Sequence, residues 1–266
     1  MKFNLIFKKK IVRLIDTHCH LYLPEFNNDL ADVVMRAIIT GVEKFYLPSI
    51  DSSVLDDLFK MEKEYPGKCF AMAGLHPCSV NDNYKNELQQ VENLLQLRQF
   101  PAIGEIGLDF YWSTEFIHQQ YEAFEIQMQW ALEKKLPIVI HTRNAMQQTI
   151  DFVKPFAAKG LTGIFHCFGD SYENAAQIID MNFYLGIGGV LTYKKSGLDE
   201  VMKKIDLAHI VLETDAPYLT PVPFRGKRNE SSYIKIIAEK LAEIKSVSLE
   251  EVAAITTSNA EKIFVL

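Results

Sequence analysis

The stretch Leu14-Ile15-Asp16-Thr17-His18-Cys19-His20 combines an apolar start with two histidines two residues apart. Side chains on a strand alternate between its faces, so a strand here directs His18 and His20 to the same side. Two imidazoles on one face can supply half of a metal site. The alternative is a pair of surface histidines at a strand edge. The metal interpretation therefore requires carboxylates and further histidines elsewhere in the chain.

Eight short apolar or β-branched runs, the first of them at this stretch, alternate with segments of helical spacing. The runs are residues 14–20, 43–50, 69–76, 102–107, 137–142, 163–167, 183–189 and 210–215. The helical segments are residues 28–40, 52–65, 87–97, 116–135, 145–159, 172–181 and 197–204, followed by 232–245 and 249–257. Near-continuous apolar runs are typical of buried parallel strands. The repeat predicts an α/β fold, a (β/α)8 TIM-type barrel.

A doubly wound open sheet is the competing architecture, and it is expected to carry a glycine-rich phosphate turn after its first strand. The first strand here ends instead in His18-Cys19-His20, which favours the barrel. We expect a single barrel domain over residues 14–266, with its active site at the C-terminal face of the strands. Residues 1–13 are expected to form an N-terminal extension.

Composition limits the classes of partner and compartment. The net charge of −6 in 266 residues excludes the global basic excess of a protein that coats nucleic acid, so a polyanionic substrate needs local cations or metal ions. No apolar run approaches the length of about 18 residues that a membrane span requires, and residues 1–13 lack the pattern of a signal peptide. The four cysteines show no framework spacing. We expect a cytoplasmic protein with reduced thiols.

Polar side chains occupy the ends of five of the predicted strands. A closed barrel brings these ends to one face, where such barrels hold their active sites. The candidate metal ligands are His18, His20, Glu105, His141, His166 and Asp215. Four imidazoles and two carboxylates exceed what one tetrahedral ion needs and suit two divalent ions bridged by Glu105. Asp215 can also accept the proton of an attacking water, so Asp215 and Glu105 are the candidate catalytic residues.

Substrate contacts are expected from cations near this face. Arg225, Lys227 and Arg228 follow the last strand within four residues, just before a helix start, and such a cluster can bind phosphate. Arg143, two residues after His141, is a second candidate contact for an anion. His76 ends the third strand and can line the mouth of the site without binding metal.

Taken together, the motifs closely resemble the TatD family of metal-dependent deoxyribonucleases, within the amidohydrolase-like superfamily of barrels. The matching pieces are residues 16–21, 74–77, 104–109, 140–143, 165–168, 188–189, 213–219 and 225–230. The resemblance implies the same six ligands and hydrolysis of DNA phosphodiesters, often from an end, with divalent ions such as Mg²⁺. Ser231 stands where the family usually has proline, which affects the helix start beyond the basic loop and not the ligands.

The expected function is hydrolysis of DNA at single-stranded ends by a water that two divalent ions activate. Mg²⁺ is the expected metal, with Mn²⁺ or Zn²⁺ as alternatives, and DNA is the only expected partner of a monomer. One alternative keeps the barrel but acts on a small-molecule ester or amide, as an amidase, lactonase or deaminase, because fold alone does not settle function. A second alternative is a non-enzymatic binding or scaffold protein, which would be expected to have lost ligands.

Overall fold

The computed structural model describes residues 12–265 and contains eight parallel strands in that range. The strands are β1 (Leu14–Asp16), β2 (Val42–Pro48), β3 (Cys69–Met72), β4 (Ile103–Asp109), β5 (Ile138–Arg143), β6 (Gly163–Phe165), β7 (Phe183–Ile187) and β8 (Ile210–Leu212). The helices between and after them are α1 (Leu30–Thr40), α2 (Leu55–Glu64), α3 (Tyr84–Leu97), α4 (Ile117–Lys134), α5 (Met146–Ala157), α6 (Tyr172–Asp180), α7 (Leu198–Lys204), α8 (Ile234–Lys245) and α9 (Leu249–Ile263). This alternation confirms the predicted α/β class.

The strands close into a ring. Strands β1 to β3 pair as one parallel sheet, and strands β4 to β8 pair as a second parallel sheet. A parallel bridge between Ala73 and Ile103 joins the two sheets on one side. On the other side the backbone N–H of Thr17 donates to the carbonyl oxygen of Leu212 at 3.1 Å. The predicted single-domain (β/α)8 barrel is therefore confirmed.

The barrel interior is a packed apolar cluster rather than a pore, as this fold requires. Its members are Ile15, Tyr46, Met72, Ala102, Val139, Ile164, Val211, Ala260 and Phe264. On β1, β5, β6 and β8, and just before β4, the cluster residue comes earlier in the chain than the candidate ligand of the same strand. The cluster therefore lies toward the N-terminal ends of the strands. Phe264, just after α9, stacks on Tyr46 with 3.9 Å between ring centres and fills that end. Among the described residues, this packing closes the barrel axis at its N-terminal end.

A second apolar layer lies between the strands and the helices, which pack one face each against the sheet. Helix α1 buries Val33, Val34 and Ala37 at helical spacing and ends at Gly41, whose φ of 114° suits glycine. Within the described residues no helix has the length and apolar character needed to cross a membrane. The four cysteines form no disulfide with one another.

Several predicted boundaries differ from the structure, among them the ends of the first and last strands and of helix α9. The first and last strands end at Asp16 and Leu212 rather than at His20 and Asp215, because the backbone turns out of the ladder there, and Asp215 has a φ of 55°. Helix α9 continues to Ile263 instead of residue 257. Buried Asn259 explains this extension, since its amide donates to two backbone carbonyls at 2.8 Å. These hydrogen bonds allow the polar segment after residue 257 to be buried as part of the helix.

The predicted N-terminal extension, residues 1–13, lies outside the described residues except for its last two positions. Val12 packs against the core. Arg13 forms ion pairs with Glu43 at 2.8 Å and Glu261 at 3.0 Å. Val12 and Arg13, the two described residues of the predicted extension, thus contact the barrel.

Candidate metal centre

All six predicted ligands meet at the C-terminal end of the barrel. His18 and His20 follow β1, Glu105 lies within β4, and His141 lies within β5. The remaining two ligands, His166 and Asp215, follow β6 and β8. Residues from five strands therefore converge on one point because parallel strands present the same end to the same face.

The Glu105 carboxylate divides the imidazoles into two sets. Its Oε2 lies 3.1 Å from His18 Nε2 and 3.6 Å from His20 Nε2. Its Oε1 lies 2.9 Å from His141 Nδ1 and 2.8 Å from His166 Nε2. Oε1 also lies 3.4 Å from His76 Nε2. One oxygen of this buried carboxylate thus faces His18 and His20, and the other faces His141, His166 and His76.

Asp215 completes the first set. Its Oδ1 lies 3.5 Å from His20 Nε2 and 3.8 Å from His18 Nε2, and these two nitrogens are 3.1 Å apart. Two nitrogens that each lie about 2.1 Å from a shared ion at a right angle are roughly 3 Å apart. The donor atoms therefore fit a divalent ion on this side of Glu105, and the imidazoles on the other side offer the same chemistry.

A tyrosine missed by sequence reasoning fixes the orientation of His20. The Tyr22 hydroxyl donates to the carbonyl oxygen of Pro48 at 2.6 Å, so it accepts the hydrogen bond from His20 Nδ1 at 2.8 Å. The proton then sits on Nδ1 and the lone pair of Nε2 points into the centre. The signal was available, because Tyr22 continues the spacing of two residues that joins His18 to His20.

Asp109 plays the same part for His141 and was also not predicted. Its Oδ2 accepts from His141 Nε2 at 2.8 Å, which leaves Nδ1 free to face Glu105. Its Oδ1 accepts the backbone N–H groups of Tyr111 at 2.9 Å and Trp112 at 3.2 Å. Burial raises the pKa of Asp109, but the bond from His141 and these two N–H donors outweigh it and hold that pKa below its ordinary value.

Glu213 occupies the corresponding place beside His166. Its Oε1 lies 3.4 Å from His166 Nδ1 and accepts the backbone N–H of Cys167. Gly186 on β7 makes room for this carboxylate, because a Cβ there would lie 2.2 Å from Glu213 Oε2. The side chain is fully buried, which suits a positioning role and not contact with substrate.

A buried polar network holds Asp215 against His18. The carboxylate of Asp16 accepts the backbone N–H of Thr214 at 2.9 Å and its hydroxyl at 2.6 Å. The backbone N–H of Asp215 donates to the carbonyl oxygen of His18 at 2.9 Å. Asn229 donates to the carbonyl oxygen of Thr214 at 2.7 Å and so ties the following loop to the same point.

The charges of the centre suit a cation. Burial raises the pKa of Glu105, but the surrounding imidazoles, His166 first, hold it well below its usual range. Asp215 behaves alike, since the bond from His20 outweighs burial and lowers its pKa. For His166 the carboxylates Glu105 and Glu213 outweigh burial and raise its pKa. Glu105 and Asp215 are therefore anionic, and imidazoles of the centre supply the balancing positive charge. A bound metal ion can take over this role from the imidazoles.

The centre forms the floor of a cleft of about 830 Å³. His76 and Arg143, both predicted to contact substrate, line this cleft together with Cys78, Asp109, Trp112 and Tyr218. His76, Cys78 and His141 could in principle form a further ligand group. Burial and the charge of Asp109 raise the pKa of the Cys78 thiol to about 12, so the thiolate that a metal needs is disfavoured.

The predicted basic cluster after β8 does not line the cleft. Arg228 forms a bidentate ion pair with Asp29 at 2.8 and 2.7 Å and donates to the carbonyl oxygen of Glu25 at 2.6 Å. The guanidinium of Arg228 is thus bound to other residues of the same chain. A structural contact stands in place of the predicted phosphate contact. Arg225 stacks over Tyr193 at 4.2 Å, and Lys227 is exposed.

Comparison with known proteins agrees with this geometry. The family model described as TatD related DNase matches residues 15–265. An uncharacterized metal-dependent hydrolase of Bacillus subtilis, YabD, is 40% identical over 252 residues, which cover 94% of this chain and 98% of that protein. An uncharacterized metal-dependent hydrolase of Escherichia coli, YcfH, is 32% identical over 258 residues, covering 94% of this chain and 95% of that protein.

Among solved structures, the TatD homologue YjjV of Escherichia coli has a TM-score of 0.90 and 27% identity, covering 96% of this chain and 99% of that chain. The family match spans the whole barrel, including every candidate ligand. The chain belongs to the TatD family of metal-dependent hydrolases.

Proposed function

We propose that this protein is a deoxyribonuclease that hydrolyses phosphodiester bonds at single-stranded DNA ends with two divalent ions. The observation that carries the proposal is the division of the ligands by Glu105, whose Oε2 faces His18 and whose Oε1 faces His166. Ions a few ångströms apart are typical of phosphodiester hydrolysis. The family description as TatD related DNase supports DNA as the substrate. Mg²⁺ is the proposed metal, with Mn²⁺ and Zn²⁺ as alternatives.

The residues divide between the two ions. His18, His20 and Asp215 would hold one ion, and His141 and His166 the other, with Glu105 between them. Bound ions would lower the pKa of a water and offset the charge of the scissile phosphate. The remaining chemistry, proton transfer and substrate binding, comes from side chains of the cleft.

Asp215 is the proposed general base. Its side chain is 13% exposed at the cleft floor, and its lowered pKa keeps it ionised at neutral pH, so it can accept the proton of the attacking water. His76 Nδ1 accepts the backbone N–H of Cys78 at 3.0 Å, which leaves the proton on Nε2. That nitrogen lies 3.4 Å from Glu105 Oε1 at the cleft floor, so its N–H can donate to this carboxylate or to a phosphate oxygen bound beside it.

The distribution of cations favours a short contact with DNA. Arg143 is exposed beside the cleft, and Arg225 and Lys227 are exposed on the loop after β8. Together they can bind two or three flanking phosphates, while the net charge of −6 disfavours a long duplex track. A strand end threaded over the barrel mouth fits this pattern better than an internal site in duplex DNA.

The direct test is cleavage of end-labelled single-stranded DNA by metal-stripped protein resupplied with Mg²⁺, Mn²⁺ or Zn²⁺. We expect metal to restore cleavage in the wild-type protein and not in Glu105→Ala. Glu125→Ala, which removes an exposed glutamate on α4, is the matched control and should cleave normally. Labels at each end report the polarity of degradation.

No cleavage with any metal, in protein shown to bind two ions, would reject DNA as the substrate. Assays on small-molecule esters and amides would then test the alternative hydrolase. We also propose that the enzyme is a cytoplasmic monomer. Light scattering in solution tests the monomer, and fractionation of cells tests the location.

A further inference from the structure

Two large aromatic side chains stand exposed at the rim of the cleft, directly after β4. Tyr111 is 51% and Trp112 is 69% exposed. Their rings meet edge to face with 5.0 Å between centres, and Trp112 lines the cleft above the centre. An exposed pair of this size beside an active site marks a surface for an apolar or planar ligand.

An arginine extends this surface. The guanidinium carbon of Arg143 lies 3.7 Å from the centre of the Tyr111 ring and 5.2 Å from that of Trp112. Among the described residues no carboxylate lies within salt-bridge distance of Arg143, and no other Arg or Lys lines the cleft. The three side chains thus combine planar π surface with one unpaired cation.

The platform formed by Tyr111, Trp112 and Arg143 is tied to the metal centre. Asp109 accepts the backbone N–H groups of both aromatic residues while it also holds His141. The backbone N–H of residue 110 donates to the carbonyl oxygen of Arg143 at 2.9 Å, which fixes the ends of β4 and β5 together. The platform therefore has a set position relative to the ligands, unlike a freely mobile loop.

A second aromatic faces it across the cleft. Tyr218, which follows β8, is 49% exposed and lies with its ring centre 6.2 Å from that of His20. Strands β4 and β8 are opposite each other in a ring of eight, so Tyr218 and the platform line the same cleft from opposite sides of the ring. A chain that places one phosphate at the centre can present planar groups to both sides.

We infer that Tyr111, Trp112 and Arg143 form a stacking platform for an unpaired nucleobase next to the scissile phosphate, with Arg143 paired to the adjoining phosphate. This inference rests on the proposed nuclease function and explains its substrate class. Only an unpaired base offers its face to a protein ring, whereas a base inside a duplex is covered by its neighbours. The platform thus selects single-stranded ends by stacking and without reading sequence.

Tryptophan fluorescence tests the platform without turnover. The chain has two tryptophans, so Trp130→Phe, on helix α4, leaves Trp112 as the only one. The probe is a short single-stranded oligonucleotide with non-hydrolysable phosphorothioate linkages, added in the presence of Mg²⁺. The comparison probe has the same backbone with abasic tetrahydrofuran units in place of nucleosides.

We expect the base-containing probe to quench Trp112 and to bind about tenfold more tightly than the abasic probe. Trp112→Ala should abolish this preference for bases, and Trp112→Phe should retain most of it. Because these two variants lack the reporter tryptophan, their affinities are measured by the fluorescence anisotropy of a dye attached to each probe. Tyr172→Ala, which removes a 38% exposed aromatic on α6 outside the cleft, is the matched control and should keep the full preference. A duplex with blunt ends should quench less than the single strand.

Equal affinity of wild-type protein for both probes, or a preference for bases that survives in Trp112→Ala, would overturn the platform. Normal metal-dependent cleavage in that case would leave the nuclease proposal standing. Quenching by the base-containing probe without cleavage of any phosphodiester would have the reverse meaning, because the platform would stand and the nuclease proposal would fall.

Discussion

Replacement of Asp109 by asparagine is expected to disable one side of the metal centre without unfolding the protein. Oδ1 of Asp109 accepts two backbone N–H groups, from Tyr111 and Trp112. In Asp109→Asn these donors keep the amide oxygen at that position, so the amide NH₂ faces His141 Nε2. His141 must then place its proton on Nδ1, the nitrogen that faces Glu105 at 2.9 Å, and loses the lone pair that an ion needs.

The loss of metal affinity in Asp109→Asn can be estimated from the hydrogen bonds that compete for the amide group. Turning the amide over restores the acceptor for His141 but breaks both backbone hydrogen bonds, at a cost of about 1 kcal/mol each. A penalty of about 2 kcal/mol corresponds to roughly 30-fold weaker binding of one ion. Loss of a carboxylate that orients a ligating histidine commonly costs 10–100-fold, so the two estimates, each about one to two decades, agree.

Calorimetric titration with Mn²⁺ measures this change directly. We expect wild-type protein to bind two ions, and Asp109→Asn to bind one normally and one about 30-fold more weakly. Asp206→Asn is the matched control, because Asp206 is exposed and also accepts a backbone N–H, from Ala208 at 2.8 Å. Unchanged affinity at both sites in a folded Asp109→Asn protein would refute the role assigned to this carboxylate.

Three further predictions concern the supports of the site. Gly186→Ala places a Cβ 2.2 Å from Glu213 Oε2, so we expect the free energy of urea unfolding to fall by about 1–3 kcal/mol and Mn²⁺ binding to weaken. The control Gly169→Ala, whose Cβ meets nothing closer than 3.8 Å, should change neither quantity. Equal stability of the two variants would contradict this prediction. Arg228→Ala removes a partly exposed ion pair and should lower the free energy of unfolding by about 1 kcal/mol while KM for DNA stays unchanged; a raised KM with normal stability would instead assign Arg228 to substrate. Because the pKa of His166 is raised, an ion must displace its proton, so Mn²⁺ affinity should rise as the pH increases above the ordinary pKa of histidine. Proton release measured in two buffers checks this, and pH-independent affinity would rule it out.

The barrel and the convergence of the candidate ligands were predictable because both depend on local and periodic signals. Apolar runs of strand length recur along the whole chain, and each candidate ligand directly follows or ends such a run. Parallel strands then bring those positions to one face of the barrel, independently of the length and conformation of the loops. His18, Glu105 and Asp215 could therefore be placed together although Glu105 lies 87 residues after His18 and 110 before Asp215.

The supports of the ligands were less predictable, since they depend on the exact turn of the backbone beyond each strand. Asp109 lies inside one recognised motif and Tyr22 directly follows another, yet nothing in their spacing shows which ring nitrogen they hold. Arg228 illustrates the same limit. Its partner Asp29 is 199 residues away, and only the folded chain shows that this pair uses the guanidinium expected to bind phosphate.

The most direct test of the central claim is anomalous diffraction from crystals of the protein grown with Mn²⁺. The claim is that Glu105 bridges two ions, one held by His18, His20 and Asp215 and the other by His141 and His166. We predict two anomalous peaks, one beside each oxygen of the Glu105 carboxylate. A single peak at saturating Mn²⁺, or two peaks on the same side of Glu105, would contradict it.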